Sequence, residues 1–306
     1  MLFSLFFSMF VGKLLSIDMK KYLLLGLLPA FLFLGCKEDE KTVIPMKSLE
    51  RVTWYKNYSP AIEGEIRIIY NNEGKLSQLE EYGASGNVLQ EYTYIVSTSS
   101  VSVNHVNYCI ETPAFFTNYR TLDLAGSRVY KESFNAVYEH NGSKEVYAKE
   151  RFDYVYTGAS LGSINRTTVF PDDGQYNERE LKNAITFEYL NGNLSKLSWS
   201  ADINTLIKME IAYSDTPIPA NFPLRFLSPI DLDVWSMFDP LNFYYGSGSL
   251  KLPSSIKVTD LASSKVTEYT FAPYTLNDGY LMGMEIKRLR YGIEDVYTYT
   301  FKYKGL

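Results

Sequence analysis

Side chains with reactive chemistry are few: the 306 residues hold two His and two Cys. His105 and Cys109 lie four apart in a strand-like run ending at Ile110. In a strand such positions share a face but stand roughly 13 Å apart at about 3.3 Å per residue, beyond the reach of a thiol–imidazole pair. Cys109 therefore reads as a small buried hydrophobe. His140, in Tyr138-Glu139-His140-Asn141-Gly142, reads as a surface turn residue. A serine hydrolase built on a nucleophile elbow is not expected. A glycosidase needs two acids across a cleft. The adjacent acids fit local structure instead: Asp172-Asp173-Gly174 is a turn by composition, Asp231 and Asp233 suit the first turn of a helix, and Glu80-Glu81 ends a strand. Asp231-x-Asp233 lacks the further oxygens and Gly of a calcium loop, so no metal and no cofactor is expected. What remains is aromatic. Tyr244, Tyr245 and Trp235 are the candidate ligand contacts, because rings stack on the apolar faces of sugars and on lipid chains.

Composition supplies the setting for those rings. With 26 Tyr, 18 Phe and 3 Trp, aromatics reach 15% of the chain, and rings pack best on a pleated, half-buried sheet. Three of the 30 basic and one of the 35 acidic residues fall in the first 35, leaving a net charge of −7 beyond them. That balance argues against nucleic acid, whose binding is dominated by cationic contacts to phosphate.

Met19-Lys20-Lys21 precedes a 13-residue apolar run, Tyr22 to Leu34, and the chain turns polar at Lys37-Glu38-Asp39-Glu40. The run is shorter than the roughly 20 residues of a spanning helix and has the layout of a signal peptide. Gly35-Cys36 at its end resembles the lipobox of bacterial lipoproteins, which implies acylation of the Cys36 thiol and a membrane attachment through lipid. Lys37-Glu38-Asp39-Glu40 resembles the Lys-acidic-acidic tag of Bacteroidetes lipoproteins, which implies the outer membrane with the domain facing the cell exterior. Residues 1–35 are thus expected to be a signal peptide whose true start is Met19, and residues 36–48 a lipidated tether.

From there onward the apolar pattern has period two. Tyr297, Tyr299, Phe301 and Tyr303 fall on one face of the last strand, and Thr298, Thr300, Lys302 and Lys304 on the other. A degenerate repeat links aromatic strand ends through Gly or Asn turns to spaced Leu or Ile: Tyr70 through Asn71–Gly74 to Leu76 and Leu79, Tyr156 through Gly158 to Leu161 and Ile164, Tyr189 through Asn191-Gly192 to Leu194 and Leu197. Each copy reads as one hairpin. The segment from Thr216 to Ser255 departs from this, with six of the 12 prolines. Ser228-Pro229-Ile230-Asp231 supplies a cap, a first-turn proline and an acid, and Ile230, Val234, Met237, Phe238 and Leu241 recur at helical spacing. The expectation is an all-β fold, a large curved antiparallel meander of hairpins, open or closed into a barrel-like sheet. One short helix near 228–241 and a single domain over 49–306 complete it.

Tyr70 to Leu76, Tyr189 to Leu194, Ile230-Asp231-Leu232-Asp233, Gly248 to Ser254 and the closing Tyr269-Thr270-Phe271, Asp278-Gly279-Tyr280 and Tyr297-Thr298-Tyr299 together resemble an uncharacterised Bacteroidetes lipoprotein family described as having a porin-like fold. The resemblance implies a many-stranded antiparallel sheet and no catalytic residues. The expected function is that of a lipid-anchored outer-membrane lipoprotein whose β domain binds a glycan, lipid or protein ligand without chemistry. The alternatives are a carbohydrate-active hydrolase using a carboxylate pair and a membrane-inserted β-barrel.

Overall fold

A computed structural model describes residues 48–306, apart from 109–114, 141–142, 172–177, 202–203, 220–221, 223, 225 and 228–239. Cys36, Cys109, Asp172, Asp173, Asp231, Asp233, Trp235 and the body of the helix expected near 228–241 therefore lie outside the described residues. Immediately after that segment, Pro240–Tyr244 forms one turn of 3-10 helix.

Sixteen strands follow one another in chain order: β1 (Leu49–Lys56), β2 (Ile62–Tyr70), β3 (Leu76–Gly83), β4 (Val88–Val96), β5 (Ser100–Tyr108), β6 (Phe115–Ala125), β7 (Arg128–His140), β8 (Ser143–Thr157), β9 (Ser160–Phe170), β10 (Arg179–Leu190), β11 (Asn193–Ala201), β12 (Asn204–Pro217), β13 (Lys251–Asp260), β14 (Lys265–Asn277), β15 (Tyr280–Arg290) and β16 (Ile293–Tyr303). Each pairs antiparallel with its neighbours in sequence, and β1 pairs with β16, so the sheet closes into a barrel. The expected meander is present, and its closure is settled. An even strand number brings the start of β1 and the end of β16 to one end, where Lys304 N–H donates to the Ser48 carbonyl at 2.9 Å. Tight hairpins join many of these strands. Asn191-Gly192 and Asp278-Gly279 both take positive φ at each central position (51° and 76°; 48° and 78°), which the primed hairpin turns require.

Residues directly opposite in an antiparallel pair lie on one face, so the register identifies the two surfaces of the wall. Val52 sits opposite Ile66 and Phe301, Tyr299 opposite Met284, Leu197 opposite Met209, and Ile211 opposite Ile256. All are buried, and this face points inward. The ring-bearing face of β16 belongs to it, as the alternation in the sequence requires. The outer face carries many ion pairs beside exposed apolar side chains such as Ile69, Ile95, Tyr119 and Val155. Glu65 there binds Arg67 at 2.5 Å and Arg51 at 3.5 Å, and the Arg67 guanidinium lies 4.1 Å from the Tyr82 ring. The same two-residue spacing joins Arg151 to Asp153, Glu180 to Lys182 and Glu285 to Lys287 on other strands. A membrane-spanning barrel has the reverse polarity, an apolar band about 25 Å tall outside and a polar lumen within.

The described parts of the connection between β12 and β13 lie in the lumen at the end where the termini meet. Its Phe222, Leu224, Phe226, Leu241 and Tyr245 are buried in the same cluster as the inward wall. Phe222 meets the Phe301 ring edge-on at 5.0 Å. Ile218 N–H donates to the Leu250 carbonyl, closing the neck of the connection, while Leu250 and Lys251 N–H both donate to Asn193 Oδ1 at 2.9 and 3.0 Å. Between this plug and the wall around Leu161, Phe187, Leu224 and Phe226 the residual void is about 20 Å³, room for a water at most.

The strand ends around the plug share a device. Tyr70 on β2, Tyr156 on β8, Tyr213 on β12, Tyr274 on β14 and Tyr303 on β16 each donate a hydroxyl to a carbonyl of the preceding strand, those of Leu49, Val129, Leu194, Pro253 and Leu281. Register shifts fall beside these carbonyls, at Leu49, Val129, Leu194, Pro253 and Leu281. A bulge disrupts the ladder locally, and a side-chain donor gives the displaced carbonyl a partner. The aromatic strand ends of the sequence repeat are therefore hydrogen-bonding as well as packing residues. Burial pushes the Tyr70 and Tyr213 phenols up to about 12, so both remain donors at neutral pH.

Gly64 lies opposite Trp54, and a Cβ there would fall inside the indole's van der Waals surface. Gly64→Ala should therefore destabilise the barrel by about 1–3 kcal/mol in urea unfolding, through overpacking. An unchanged midpoint would show that the ring moves aside freely.

Candidate functional site

The plug fills one part of the lumen only. Beyond it, inward positions of β4 to β10 carry polar side chains at the phase that is apolar elsewhere: Gln90, His105, Asn118, Arg120, Glu132, Glu150, Arg166 and Asn183. They form two groups.

In the first, His105 stacks on Tyr92 with centroids 4.1 Å apart and rings 2° from parallel. Gln90 Oε1 can only accept, so His105 Nε2–H donates to it at 2.9 Å, and Nδ1 accepts from Asn118 Nδ2 at 3.0 Å. Gln90 Nε2 in turn donates to the buried Glu81 at 2.7 Å. These bonds hold a neutral imidazole of one tautomer. Both ring nitrogens are committed, which leaves none for catalysis.

The second group is built around Arg120. Its guanidinium donates through Nε and Nη2 to Glu132, and Nη2 also donates to the Tyr245 hydroxyl at 2.6 Å. Tyr154 donates to Glu132 Oε2 at 2.6 Å, and its ring lies 5.4 Å from that of Tyr245. Burial first, then the Glu132 charge, raises the Tyr154 phenol well above its ordinary value and keeps it a donor. One wall strand further, Arg166 Nη2 donates to Glu150 Oε1 at 2.5 Å, with Thr168 Oγ1 at 3.4 Å from the same oxygen. The Arg166 guanidinium also lies 5.6 Å from the Phe152 ring.

These residues surround a cavity of about 310 Å³. Tyr245 and Leu227 of the plug close one side, Phe134, Phe152, Tyr154 and Trp199 contribute rings, and Ile164, Ile185 and Asn183 complete the wall. The side chains of Arg166 and Arg120 keep 37% and 25% of their exposure while Glu132 keeps 4%, so water reaches the guanidinium layer and the acid lies beneath it. Across the barrel, Arg288 and Lys56 both bind Asp295, at 2.5 and 3.4 Å, with Arg288 over Tyr297. This second inward charge cluster belongs to β15, β16 and β1. No group of three metal-ligating side chains occurs among the described residues.

The aromatic contacts expected from the sequence separate. Tyr245 is wholly buried and forms part of the cavity wall, whereas Tyr244 ends the 3-10 turn half-buried and is not among the cavity residues. Trp235 and Cys36 lie outside the described residues. Glu80 and Glu81 point to opposite faces, Glu80 to Tyr82 on the outer wall and Glu81 to Gln90 within. Gly158-Ala159-Ser160-Leu161-Gly162 carries the letters of a Gly-x-Ser-x-Gly elbow. It spans the β8–β9 hairpin, with Ser160 paired to Thr157 and a strand on either side, whereas an elbow passes from strand to helix. Sequence reasoning missed Arg120, Glu132, Glu150, Arg166 and Asn183. The available signal was phase: Glu150 shares the parity of Phe152 and Tyr154, and Arg166 that of Ile164, which places charge on a ring-bearing inward face.

Sixteen strands in sequence order, a lumen partly filled by the described parts of the β12–β13 connection and a pocket of rings and ion pairs define a meander barrel with an internal cavity. The chain belongs to the family described as a domain of unknown function (DUF5032), whose model matches residues 36–305. Its fold is similar to that of a porin-like protein from Bacteroides vulgatus, with 12% identity and a TM-score of 0.53 over 85% of this chain and 100% of that one. A porin-like protein from Bacteroides uniformis matches with 16% identity and a TM-score of 0.46, over 85% of this chain and 98% of that one. No curated protein matches the sequence.

Burial, and to a lesser degree the Arg120 charge, lowers the His105 imidazole from 6.5 to about 4. The folded protein then binds this proton more weakly than the unfolded chain. Stability is lost as pH falls from about 6.5 to about 4 and is level below that. Across the window the wild type should lose about 2–3 kcal/mol more than His105→Asn in urea unfolding at stepped pH. Superimposable profiles would show that His105 charges in the folded state.

Proposed function

We propose that this protein is a lipid-anchored outer-membrane lipoprotein, acylated at Cys36, whose barrel stands in water and binds a small ligand in its lumen without chemistry. The polarity of the barrel carries the reading. Ion pairs of Lys, Arg, Asp and Glu recur on the outer wall among exposed apolar residues, and most inward positions are apolar or aromatic, while a Lys or Arg at the midplane of a lipid-facing wall costs about 2–4 kcal/mol. A water-standing barrel needs another means of membrane attachment, and the apolar run before Gly35-Cys36 supplies it. The family match beginning at residue 36 agrees with a mature chain that starts at the cysteine. Lys37 to Ser48 then serves as spacer, and Lys37-Glu38-Asp39-Glu40 as the export tag that turns the domain to the exterior. The same polarity counts against the membrane-inserted alternative.

The hydrolase alternative has one supporting feature, two carboxylates on a single cavity, Glu132 and Glu150. Against it, each carboxylate already accepts from a guanidinium, Glu132 from Arg120 and Glu150 from Arg166.

Detergent phase partitioning tests the anchor. Wild type produced in a Bacteroides host should enter the detergent phase and carry fatty acyl mass on Cys36, whereas Cys36→Ser should stay aqueous and monodisperse without detergent. A Cys36→Ser protein that still partitions into detergent would favour the inserted barrel. Release of aryl alcohol from aryl glycosides, abolished by Glu150→Gln, would replace the binding reading with the hydrolase.

A further inference from the structure

We propose that the lumen cavity takes a neutral, polyhydroxylated ring, a mono- or disaccharide. The inference rests on the lumen-binding reading above and adds the class of ligand. Charge decides first. Arg120 and Arg166 are each paired with a glutamate, Glu132 and Glu150, so the cavity holds two cations and two anions and favours no net ligand charge. An anion on Arg166 would sit against Glu150, and a cation beside Glu150 would sit against Arg166, each facing like charge.

Polar capacity decides next. Arg166 lines the cavity with 37% of its side chain exposed, and the Asn183 amide, on the same wall, makes no side-chain hydrogen bond among the described residues. Glu150 accepts from Arg166 and Thr168, and an ionised carboxylate has about four lone-pair sites, so acceptor capacity remains. Donors and acceptors therefore line one space, and a hydroxyl, which is both, meets either. A purely apolar ligand would cover Arg166 and Asn183 without satisfying them, which penalises it.

Shape decides last. Phe134, Phe152 and Trp199 add rings to the same space, and the C–H face of a sugar packs on an aromatic ring. Its volume of about 310 Å³ lies at the small end of ligand pockets, which run to about 1,000 Å³.

The test is calorimetric titration of the full-length protein with glucose, galactose, mannose, N-acetylglucosamine and their β-linked dimers. Galacturonate serves as the anionic control and indole as the apolar ring probe. At least one neutral sugar should bind saturably, with galacturonate weaker. Trp199→Ala and Asn183→Ala should weaken binding about tenfold, the loss expected for one ring contact or hydrogen bond. Trp199→Phe keeps a ring and should restore most of the affinity, which separates stacking from damage to the fold. Lys302→Ala, on the outer wall, should change nothing. Binding that is equal in Trp199→Ala and wild type, or tighter for galacturonate, overturns the proposal. Saturable indole binding lost in Trp199→Ala, with no sugar bound, sinks the sugar class but leaves lumen binding standing. Failure of every probe sinks both.

Discussion

A closed sheet of this many strands encloses more space than its own side chains can occupy. About eight strands give an interior that side chains just fill, and about 16–18 leave an aqueous channel. Here sixteen strands turn Val, Leu, Ile, Met, Phe and Tyr inward, and an apolar channel full of water would expose that surface. The chain resolves the conflict by sending the described parts of the connection between β12 and β13 back into the lumen. Phe222, Leu224, Phe226, Leu241 and Tyr245 supply the core that the wall cannot complete, and the fold depends on them as much as on the strand ladder.

The division of the lumen follows from that arrangement. Where the plug reaches, inward residues are apolar and tyrosine hydroxyls satisfy the carbonyls at register shifts. Where it stops, water enters, and the inward phase can carry Arg120, Glu132, Glu150 and Arg166. Glu132 could not lie at 4% exposure without its Arg120 and Tyr154 partners, since a lone buried carboxylate carries a desolvation penalty of several kcal/mol. Arg120 also donates to Tyr245, so one guanidinium joins the wall, the acid and the plug. The cavity is thus the boundary between a dry half and a wet half, and the ion pairs mark it.

Much of the fold was legible because period-two alternation is local. The rings of β16 announced their face, and Asn191-Gly192 and Asp278-Gly279 announced their turns. The site was hidden because it is not local. Arg120 and Tyr245 are 125 positions apart, and no pattern along either segment implies that they touch. Tyr245 was readable as a ring in a proline-rich connection, which suggests a surface contact. Its burial became apparent only once closure of the sheet fixed how much lumen had to be filled. Charges such as Arg166 were individually ordinary, and only their parity with Ile164 set them inside.

Likeness of fold to proteins called porin-like carries strand order and closure, and solvent polarity is a separate property written on the two faces of each strand. A one-residue change of phase would exchange the faces of a strand and convert a wall that prefers water into one that prefers lipid. On β1, β2, β11, β12, β15 and β16 Val52, Ile66, Leu197, Met209, Met284 and Phe301 lie inside, with Arg51, Glu65, Glu285 and Lys302 outside, whereas on β4 to β10 charges such as Arg120 and Glu150 share the inward phase. An open channel along this barrel would need the plug to leave and the inner rings to meet water, which the hydrophobic effect opposes. The lumen is therefore filled rather than open along its length, and the pocket between Tyr245 and Trp199 is where the filling is incomplete.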